Sequence, residues 1–586
     1  MNKPILLSCV FFLVFAFFSC KKEENKPDSP VSPSFTSVSI STDKACYHPG
    51  EEVIFETDKE LSSSVRIRYR HLNTLIEETD YTGKIWKWTP PSSDYTGYMV
   101  DVYESSDGVE KILGSIAVDV SSDWCRFPRY GFLSEYQQMS SSAIDFVVKG
   151  LSRYHINGLQ FYDWHYDHHR PLAGTVSNPA AVWKDIANRD NYLNTVKGYI
   201  DAAHHYNMKA MFYNLAYGAL NNAAADGVMD QWYLYTDAAH VNKDYHALPS
   251  PMFKSDIFLT DPSNPQWQQY LAQRNTDVYE VFDFDGFHID QLGNRNRTLY
   301  NYSGTPVDLP SAFHSFIQEM KSDKPDKYLV MNAVNQYGQA EIASAPVDFL
   351  YSEVWSPNDE FDDLGRIISE NNASCNPRKN TVLAAYMNYD LAGNAGYFNT
   401  PGVLLANAVI FALGGAHLEL GEHMLARQYF PNNNLQISGQ LRDALICYYD
   451  FLVAYQNLLR DGAVLNKPEV SSYNSQPEMG SWPPETGKVA ITGSLSDNRQ
   501  VLNFINFTSA THLQWRDSNG TQPEPVTLKN LSISFKAGRP VRQIWMASPD
   551  KNYGVPENID FAVNAEVVEF TLPELKYWDM LVVEYE

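Results

Sequence analysis

The chain has 586 residues, of which 44% are hydrophobic and 20% are charged, a composition typical of globular proteins rather than disordered ones. A chain of this length exceeds what a single hydrophobic core supports, so roughly two to four domains are expected. The formal net charge of −25 argues against nucleic acid as a partner and is compatible with a neutral substrate such as a sugar polymer.

The first residues have the pattern of a lipoprotein signal peptide, predicted over residues 1–19. Lys3 supplies a positive start, a mostly apolar run from Ile5 to Phe18 follows, and the run stops at Ser19-Cys20. Because a bilayer span takes roughly 20 residues, this run is too short to cross a membrane. We expect Cys20 to be lipidated and to anchor the protein; the alternative is an ordinary secretory signal in which Cys20 is incidental.

The segment 20–35 is predicted to be a disordered tether, because it contains charged residues and three prolines among Ser, Asp and Lys. Its start, Lys21-Lys22-Glu23-Glu24, resembles the export signal of Bacteroidetes surface lipoproteins. That resemblance implies attachment to the outer membrane, facing the cell exterior.

Residues 36–122 alternate apolar and polar side chains in short runs, such as Val65–Tyr69 and Tyr98–Tyr103. Period-two alternation with turn residues between the runs predicts a small antiparallel sandwich of immunoglobulin type. The same pattern returns at 464–586, which predicts a C-terminal β-sandwich.

Between them, residues 123–463 alternate strand-like and helix-like segments. Eight strands are predicted in this region, which fits a (β/α)8 barrel with insertions. They are Arg129–Leu133, Gly158–Asp163, Lys209–Asn214, Gly286–Asp290, Tyr328–Asn332, Phe349–Glu353, Val382–Tyr386 and Ala416–Leu420. Active sites of this fold lie at the C-terminal ends of its strands. The long segment from Ala216 to about Pro265 is expected to form a wall of the cleft.

Two of these strands end in a carboxylate, Asp290 and Glu353. An acid at the end of a buried strand is costly unless it is solvated or paired, and two carboxyls, one ionised and one protonated, are what glycoside hydrolysis requires. We interpret Asp290 as the nucleophile and Glu353 as the general acid/base. For each residue alone, a purely structural role is about equally compatible with the sequence.

Other polar or aromatic residues near strand ends are candidates for substrate binding. They are Asp163, Trp164, His168, Asn214, Asn332, Tyr351, Trp355, His417, Glu419 and Glu422. A polar network that closes the barrel explains the last three nearly as well. The run from Asp163 to His169 also approximates a metal-binding motif, but no further ligands stand out, so we predict no metal site and no cofactor and leave a structural calcium open.

Four cysteines remain after the signal and the lipidated residue, namely Cys46, Cys125, Cys375 and Cys447. Their wide spacing shows no metal pattern and fixes no disulfide pairing. Buried free thiols are the state we expect.

Four motifs, in order along residues 129–460, resemble the catalytic barrel of glycoside hydrolase family 66, the dextranases and cycloisomaltooligosaccharide glucanotransferases. They are Gln160–Trp164 with His168–Pro171, Asp285–Asp290, Tyr351–Trp355 and His417–Met424. The resemblance implies that Asp290 and Glu353 carry the family's nucleophile and acid/base roles, and that Asp163 is a further essential acid.

The activity that the resemblance implies is retaining endo-hydrolysis of the α-1,6-glucan dextran to isomalto-oligosaccharides. Separately from the resemblance, we expect a monomer, although the sequence leaves the oligomeric state open. The cyclising members carry a large inserted binding domain within the barrel, and no segment between predicted strands is long enough for it. Two alternatives remain open at this point: a cyclising transglycosylase, and a non-catalytic glycan-binding surface lipoprotein.

Overall fold

In the computed structural model, residues 38–586 are described, except 107, 429–431, 473–476 and 497. Val38–Glu586 form one compact unit. The predicted signal peptide, Cys20 and the tether lie outside the described residues. No helix among the described residues is long and apolar enough to cross a membrane.

The N-terminal region consists of two antiparallel sheets, as the alternation of its sequence predicts. Alternate side chains of both sheets face one shared core, which contains Phe55, Tyr69 and Trp86. The three-stranded sheet contains Ile40–Thr42, Val53–Thr57 and Ile85–Trp88, and the four-stranded sheet contains Arg66–His71, Thr74–Asp80, Thr96–Ser106 and Val109–Val120.

The central region contains eight parallel strands that follow one another in sequence. They are β1 Tyr130–Leu133, β2 Gly158–Phe161, β3 Lys209–Leu215, β4 Gly286–Asp290, β5 Tyr328–Met331, β6 Leu350–Glu353, β7 Thr381–Ala384 and β8 Ala416–His417. All eight predicted strands are therefore present. Several are shorter than predicted at the C-terminal end, where the chain turns into the loops.

A helix follows each strand. They are α1 Ser141–Ser152, α2 Leu193–His205, α3 Pro265–Val281, α4 Leu309–Asp323, α5 Gln339–Ser344, α6 Phe361–Ser374, α7 Thr400–Ala412 and α8 Gly439–Ala454. Side chains cap several of the helix starts: Ser140, Asn264, Asp308 and Ser438 each accept a hydrogen bond from a backbone N–H of the first turn.

The eight strands pair as a closed ring. Strands β1 to β5 form one parallel sheet and β6 to β8 form another. Bridges between Asn332 and Tyr351 and between Phe132 and Gly421 join the two sheets on either side. The C-terminal ends of the strands therefore meet at one mouth, and the loops that follow them carry five small two-stranded ladders, such as Tyr245–His246 with Ile257–Phe258.

The C-terminal region is again formed by two packed sheets, with a core that includes Phe504, Ile533 and Leu581. Its longer strands are Val489–Ser496, Arg499–Asn506, Leu528–Lys536, Val541–Ala547, Val567–Leu575 and Trp578–Tyr585. Helix α7 is buried along nearly its whole length and contacts both α8 and this region, which explains its almost uniformly apolar sequence.

The four cysteines are free thiols. Cys46 and Cys125 are buried, whereas Cys375 and Cys447 are half-buried. The expectation of free thiols is confirmed, but complete burial holds for only two of them.

Candidate active site

A cavity opens at the mouth of the ring of strands. Asp290, Glu353 and Asn332 line its floor, and His246, Leu248, Phe253 and Ile257 from the long segment after β3 line one side. The prediction that this segment walls a cleft is confirmed.

Asp290, the last residue of β4, lies on the floor of the cavity and accepts two side-chain hydrogen bonds. The Tyr213 hydroxyl donates to Oδ2 at 2.8 Å, and the Asn332 amide donates to Oδ1 at 2.9 Å. Burial raises the pKa of the Asp290 carboxyl, and these donors oppose that rise because they favour the ionised form. Asp290 is thus a buried carboxylate whose charge is stabilised by fixed donors.

Glu353, the last residue of β6, has a different environment. The Tyr386 hydroxyl donates to Oε1 at 2.7 Å and the Asn332 amide donates to Oε2 at 3.0 Å. Burial first, and then repulsion from the neighbouring Asp290 charge, raise the pKa of Glu353 to about 7. A raised pKa is what a carboxyl needs to hold a proton near neutral pH and act as a general acid.

Asn332, at the end of β5, lies between the two acids. Its Nδ2 is 2.9 Å from Asp290 Oδ1 and 3.0 Å from Glu353 Oε2, so these two oxygens lie less than about 6 Å apart. Its Oδ1 accepts the Glu353 backbone N–H at 3.2 Å, which fixes the orientation of the amide. Carboxyls about 5–5.5 Å apart serve a retaining glycosidase, whereas an inverting one needs about 6.5–9.5 Å.

Asp163 follows β2 and lines the same cavity in a left-handed backbone conformation, with φ of 51°. Burial, together with Asp185 and Asp290, raises its pKa to about 7, and the opposing guanidinium of Arg189 lies 3.8 Å away. The cavity therefore contains a third carboxyl with a perturbed pKa, as functional sites often do.

His168 presents a hydrogen-bond acceptor to the cavity. Its Nδ1 lies 2.8 Å from Asn214 Oδ1, and the Asn214 amide is oriented by donating to the His168 carbonyl. Nδ1 therefore carries the proton, and Nε2, which is buried without a protein partner, keeps its lone pair. Burial lowers the pKa of His168 to about 4, so the ring is neutral.

Of the predicted binding residues, the structure brings Asp163, His168, Asn332, Tyr351 and Trp355 into the cavity lining. The others do not line it, for reasons that burial explains.

Trp164 is a correction to the sequence-based prediction of a stacking platform. Its side chain has no exposed surface, and it packs in the core against Phe212, Phe282 and Phe284. A fully buried ring cannot stack on a sugar. Asn214 is also fully buried and acts only through His168.

His417 and Glu419 are likewise corrections. Both are buried, and Asn407 contacts His417 Nδ1 at 2.7 Å and Glu419 Oε1 at 2.8 Å, behind the ring rather than in its mouth. Glu422 accepts the backbone N–H groups of Ser134 and Glu135 and so ties the loop after β8 to β1. His417 and Glu419 thus form a polar network with Asn407, and Glu422 makes a separate link between the loops after β8 and β1.

One group of ligand-type side chains occurs among the described residues, Asp167, His169 and Asp226. Lys254 lies 2.8 Å from Asp167 and Arg170 lies 3.0 Å from Asp226, so both acids already have cationic partners. The donor set therefore suits an ion-pair network better than a cation.

Sequence reasoning missed Tyr213 and Tyr386, which donate to the two acids, and Gln160 and His288, which also line the cavity. Tyr213 lies two residues before the end of β3 and Tyr386 two residues after the end of β7. Their positions near strand ends were a usable signal, but tyrosine is equally common in packed cores.

Comparisons with known proteins identify the family to which this chain is similar. The family model described as glycosyl hydrolase family 66 matches residues 42–582. A cycloisomaltooligosaccharide glucanotransferase of Niallia circulans is 26% identical over 92% of this chain and 71% of its own length. A dextranase of Streptococcus salivarius is 24% identical over 83% of this chain and 67% of its own length.

A solved structure with a similar fold is the cycloisomaltooligosaccharide glucanotransferase of a Paenibacillus species complexed with cycloisomaltoheptaose. It superposes with a TM-score of 0.85 and 24% identity, covering 93% of this chain and 99% of that chain. At this identity the likeness shows a shared multidomain fold.

Proposed function

The chain belongs to glycosyl hydrolase family 66, and on that premise we propose that it is a retaining endo-hydrolase of α-1,6-glucan. The observation that carries the proposal is the single Asn332 amide that holds Asp290 and Glu353 less than about 6 Å apart. This spacing suits direct attack by a carboxylate and leaves too little room for the water of an inverting mechanism.

The proposed first step forms a covalent glycosyl-enzyme. Asp290 Oδ attacks the anomeric carbon while the glycosidic C–O bond breaks, and the Glu353 proton passes to the leaving oxygen. In the second step the Glu353 carboxylate takes a proton from water, the water oxygen attacks the anomeric carbon, and the ester to Asp290 breaks. Two inversions leave the α-configuration of the product unchanged.

The proposed substrate is dextran, and the products are isomalto-oligosaccharides. The names of the relatives support an α-1,6-glucan, and the long wall built by the segment after β3 supports binding within a polymer rather than at its end. Incubation with dextran, pullulan and starch tests this. We expect dextran viscosity to fall before reducing ends accumulate; cleavage of starch alone, or release of glucose alone from the outset, would exclude it.

A cyclising transglycosylase is the second candidate, because relatives bear that name. The alignment with this relative is 704 positions long, which is more than the whole of this 586-residue chain. The relative therefore carries residues within the matched region that this chain does not have. We favour hydrolysis because this chain lacks that material. Mass spectrometry of the products decides: a cyclic oligosaccharide is lighter by one water than its linear counterpart.

We further propose that the ring of strands is a (β/α)8 barrel between two β-sandwiches.

We also propose that the enzyme is a lipid-anchored monomer on the outer membrane. The apolar run that ends at Cys20 supports the anchor. Replacing Cys20 by Ala should release the activity from the membrane fraction, and external protease should remove it from intact wild-type cells. A wild-type protein that is soluble in the periplasm would exclude the anchor. The third candidate, a non-catalytic glycan-binding protein, is disfavoured because it would need neither Asp290 nor Glu353.

A further inference from the structure

A loop of the C-terminal region reaches the mouth of the ring. It lies between the strands Arg499–Asn506 and Leu528–Lys536, and its residues Leu513–Ser518 are called the arginine loop here. Leu513 accepts a backbone hydrogen bond from Phe361 at 3.0 Å, and Ser518 accepts one from Asp390 at 3.1 Å. The arginine loop thus contacts the segments that follow both β6 and β7.

Arg516, in the middle of the arginine loop, forks onto two backbone carbonyls. Its Nη2 donates to the Val354 carbonyl at 2.9 Å, and its Nη1 donates to the Tyr386 carbonyl at 3.1 Å. Val354 directly follows Glu353, and Tyr386 is the residue whose hydroxyl donates to Glu353. The Arg516 guanidinium therefore links the backbone next to Glu353 to the backbone of Tyr386, the hydrogen-bond donor of Glu353.

The same guanidinium lies against aromatic rings. Its central carbon is 5.0 Å from the ring centroid of Trp355, which lines the cavity, and 4.5 Å from that of Trp515. Cation–π contacts of this kind are stabilising, and more so where water is excluded. Arg516 is held between these rings in one orientation.

We propose that Arg516 is a positioning residue for the acid/base Glu353, supplied to the mouth of the ring by the C-terminal region. It acts through Val354 and Tyr386 and touches neither Glu353 nor substrate. Only arginine suits this position, because its planar fork reaches two carbonyls at once, whereas the ammonium of lysine is a point donor. The inference rests on the proposed function, since it takes Glu353 as the acid/base.

The backbone of the arginine loop is fixed independently of the Arg516 side chain. The Asp517 carboxylate accepts from Asn399 at 2.7 Å, the Asp517 carbonyl accepts from Asn388 at 2.6 Å, and Trp515 Nε1 donates to the Asn358 carbonyl at 2.8 Å. Substitution of Arg516 should therefore remove the hydrogen bonds to the Val354 and Tyr386 carbonyls while the arginine loop keeps its position.

The test compares two substrates on the variant Arg516→Met, which keeps an unbranched side chain but loses the fork. Dextran needs its leaving oxygen protonated by Glu353, whereas α-isomaltosyl fluoride does not. We expect kcat/KM for dextran, which reports the step in which Glu353 donates its proton, to fall between about 10- and 100-fold, the loss that misplacing a catalytic group by about 1 Å produces, while kcat/KM for the fluoride stays within about threefold. Arg516→Lys should recover part of the dextran activity.

Arg539→Met is the matched control, because Arg539 lies over Tyr585 at 4.4 Å in the same C-terminal region and far along the chain from either acid. It should leave both substrates unaffected. Equal losses on both substrates by Arg516→Met, or no loss on dextran, would overturn the inference. If Arg516→Met does not fold, Arg516→Lys carries the same comparison with the same two outcomes.

Glu353→Ala, assayed in parallel, separates this inference from the proposed function. If Glu353→Ala lowers kcat/KM for dextran but not for the fluoride, and Arg516→Met does not show the same selective loss, only the role of Arg516 is wrong. If Glu353→Ala keeps near-wild-type rates on dextran, the acid/base assignment itself is wrong, and the inference is overturned with it.

Discussion

Asn332 acts on the protonation of both acids, because its amide is the one side chain among the described residues that donates to Asp290 and to Glu353. A hydrogen bond to a carboxylate favours the ionised form, so the amide holds down both pKa values against burial. The same side chain therefore contributes both to the geometry of the pair and to its titration, beside burial and the hydroxyls of Tyr213 and Tyr386.

The variant Asn332→Leu should shift both limbs of the pH profile of kcat/KM to higher pH. In the wild type the basic limb should fall near pH 7, where Glu353 loses its proton, and the acidic limb reports Asp290. Without the amide both carboxyls hold their protons more tightly, and kcat should fall about 100-fold because their separation is no longer fixed. Limbs that stay at their wild-type positions would contradict this role.

The raised pKa of Glu353 also means that ionising this side chain lowers the free energy of unfolding. The folded pKa of about 7 lies above the ordinary glutamate value of 4.5, so the folded state binds more protons between these values and stability falls as pH rises through them. Glu353→Gln removes this cost. Its free energy of unfolding should exceed that of the wild type by about 1–3 kcal/mol at pH 8 and match it at pH 4, as measured by urea denaturation. An equal gain at both pH values would point to packing instead.

At the scale of single elements, the ring of strands places acids from β4 and β6 beside an amide from β5. This much was predictable, because period-two alternation and terminal polar residues locate the strands and their ends. The strand ends also gave the two acids and Asp163. The burial of the Trp164 side chain was not predictable. An aromatic residue one position after an acid at a strand end fits the cavity or the core equally well.

Trp164 and Trp355 should therefore behave in opposite ways. Trp164→Ala removes a fully buried ring and should lower the free energy of unfolding by about 3–5 kcal/mol. Trp355→Ala, in the cavity lining, should change stability far less and raise KM for dextran. Thermal melting and steady-state kinetics on both variants check this. A stable Trp164→Ala with a raised KM would restore the stacking role.

At the scale of the whole molecule, a buried ion pair connects the N-terminal sheets to the ring of strands. Arg129, just before β1, pairs with Asp119 at 2.6 Å, and both side chains are fully buried. Arg460 is buried nearby with two guanidinium nitrogens that have no hydrogen-bond partner, so Asp119 is the acid that compensates this region. Sequence spacing gave no sign of this contact, because its partners belong to different predicted domains.

Asp119→Ala should lower the free energy of unfolding by about 3–5 kcal/mol, because it leaves buried arginines uncompensated. Glu52→Ala breaks the half-exposed pair of Glu52 with Lys87 and should change it by less than about 1 kcal/mol. Chemical denaturation of both variants gives the comparison. A mild effect of Asp119→Ala would mean that water reaches these arginines.

The division of labour between Asp290 and Glu353 is tested most directly by azide rescue with α-isomaltosyl fluoride as substrate. Asp290→Gly with azide should give the β-azide, because the anion enters from the face of the missing nucleophile. Glu353→Ala with azide should give the α-azide, because the anion replaces water against the glycosyl-enzyme on Asp290. Azides of the opposite configurations, or none from either variant, would contradict the assignment.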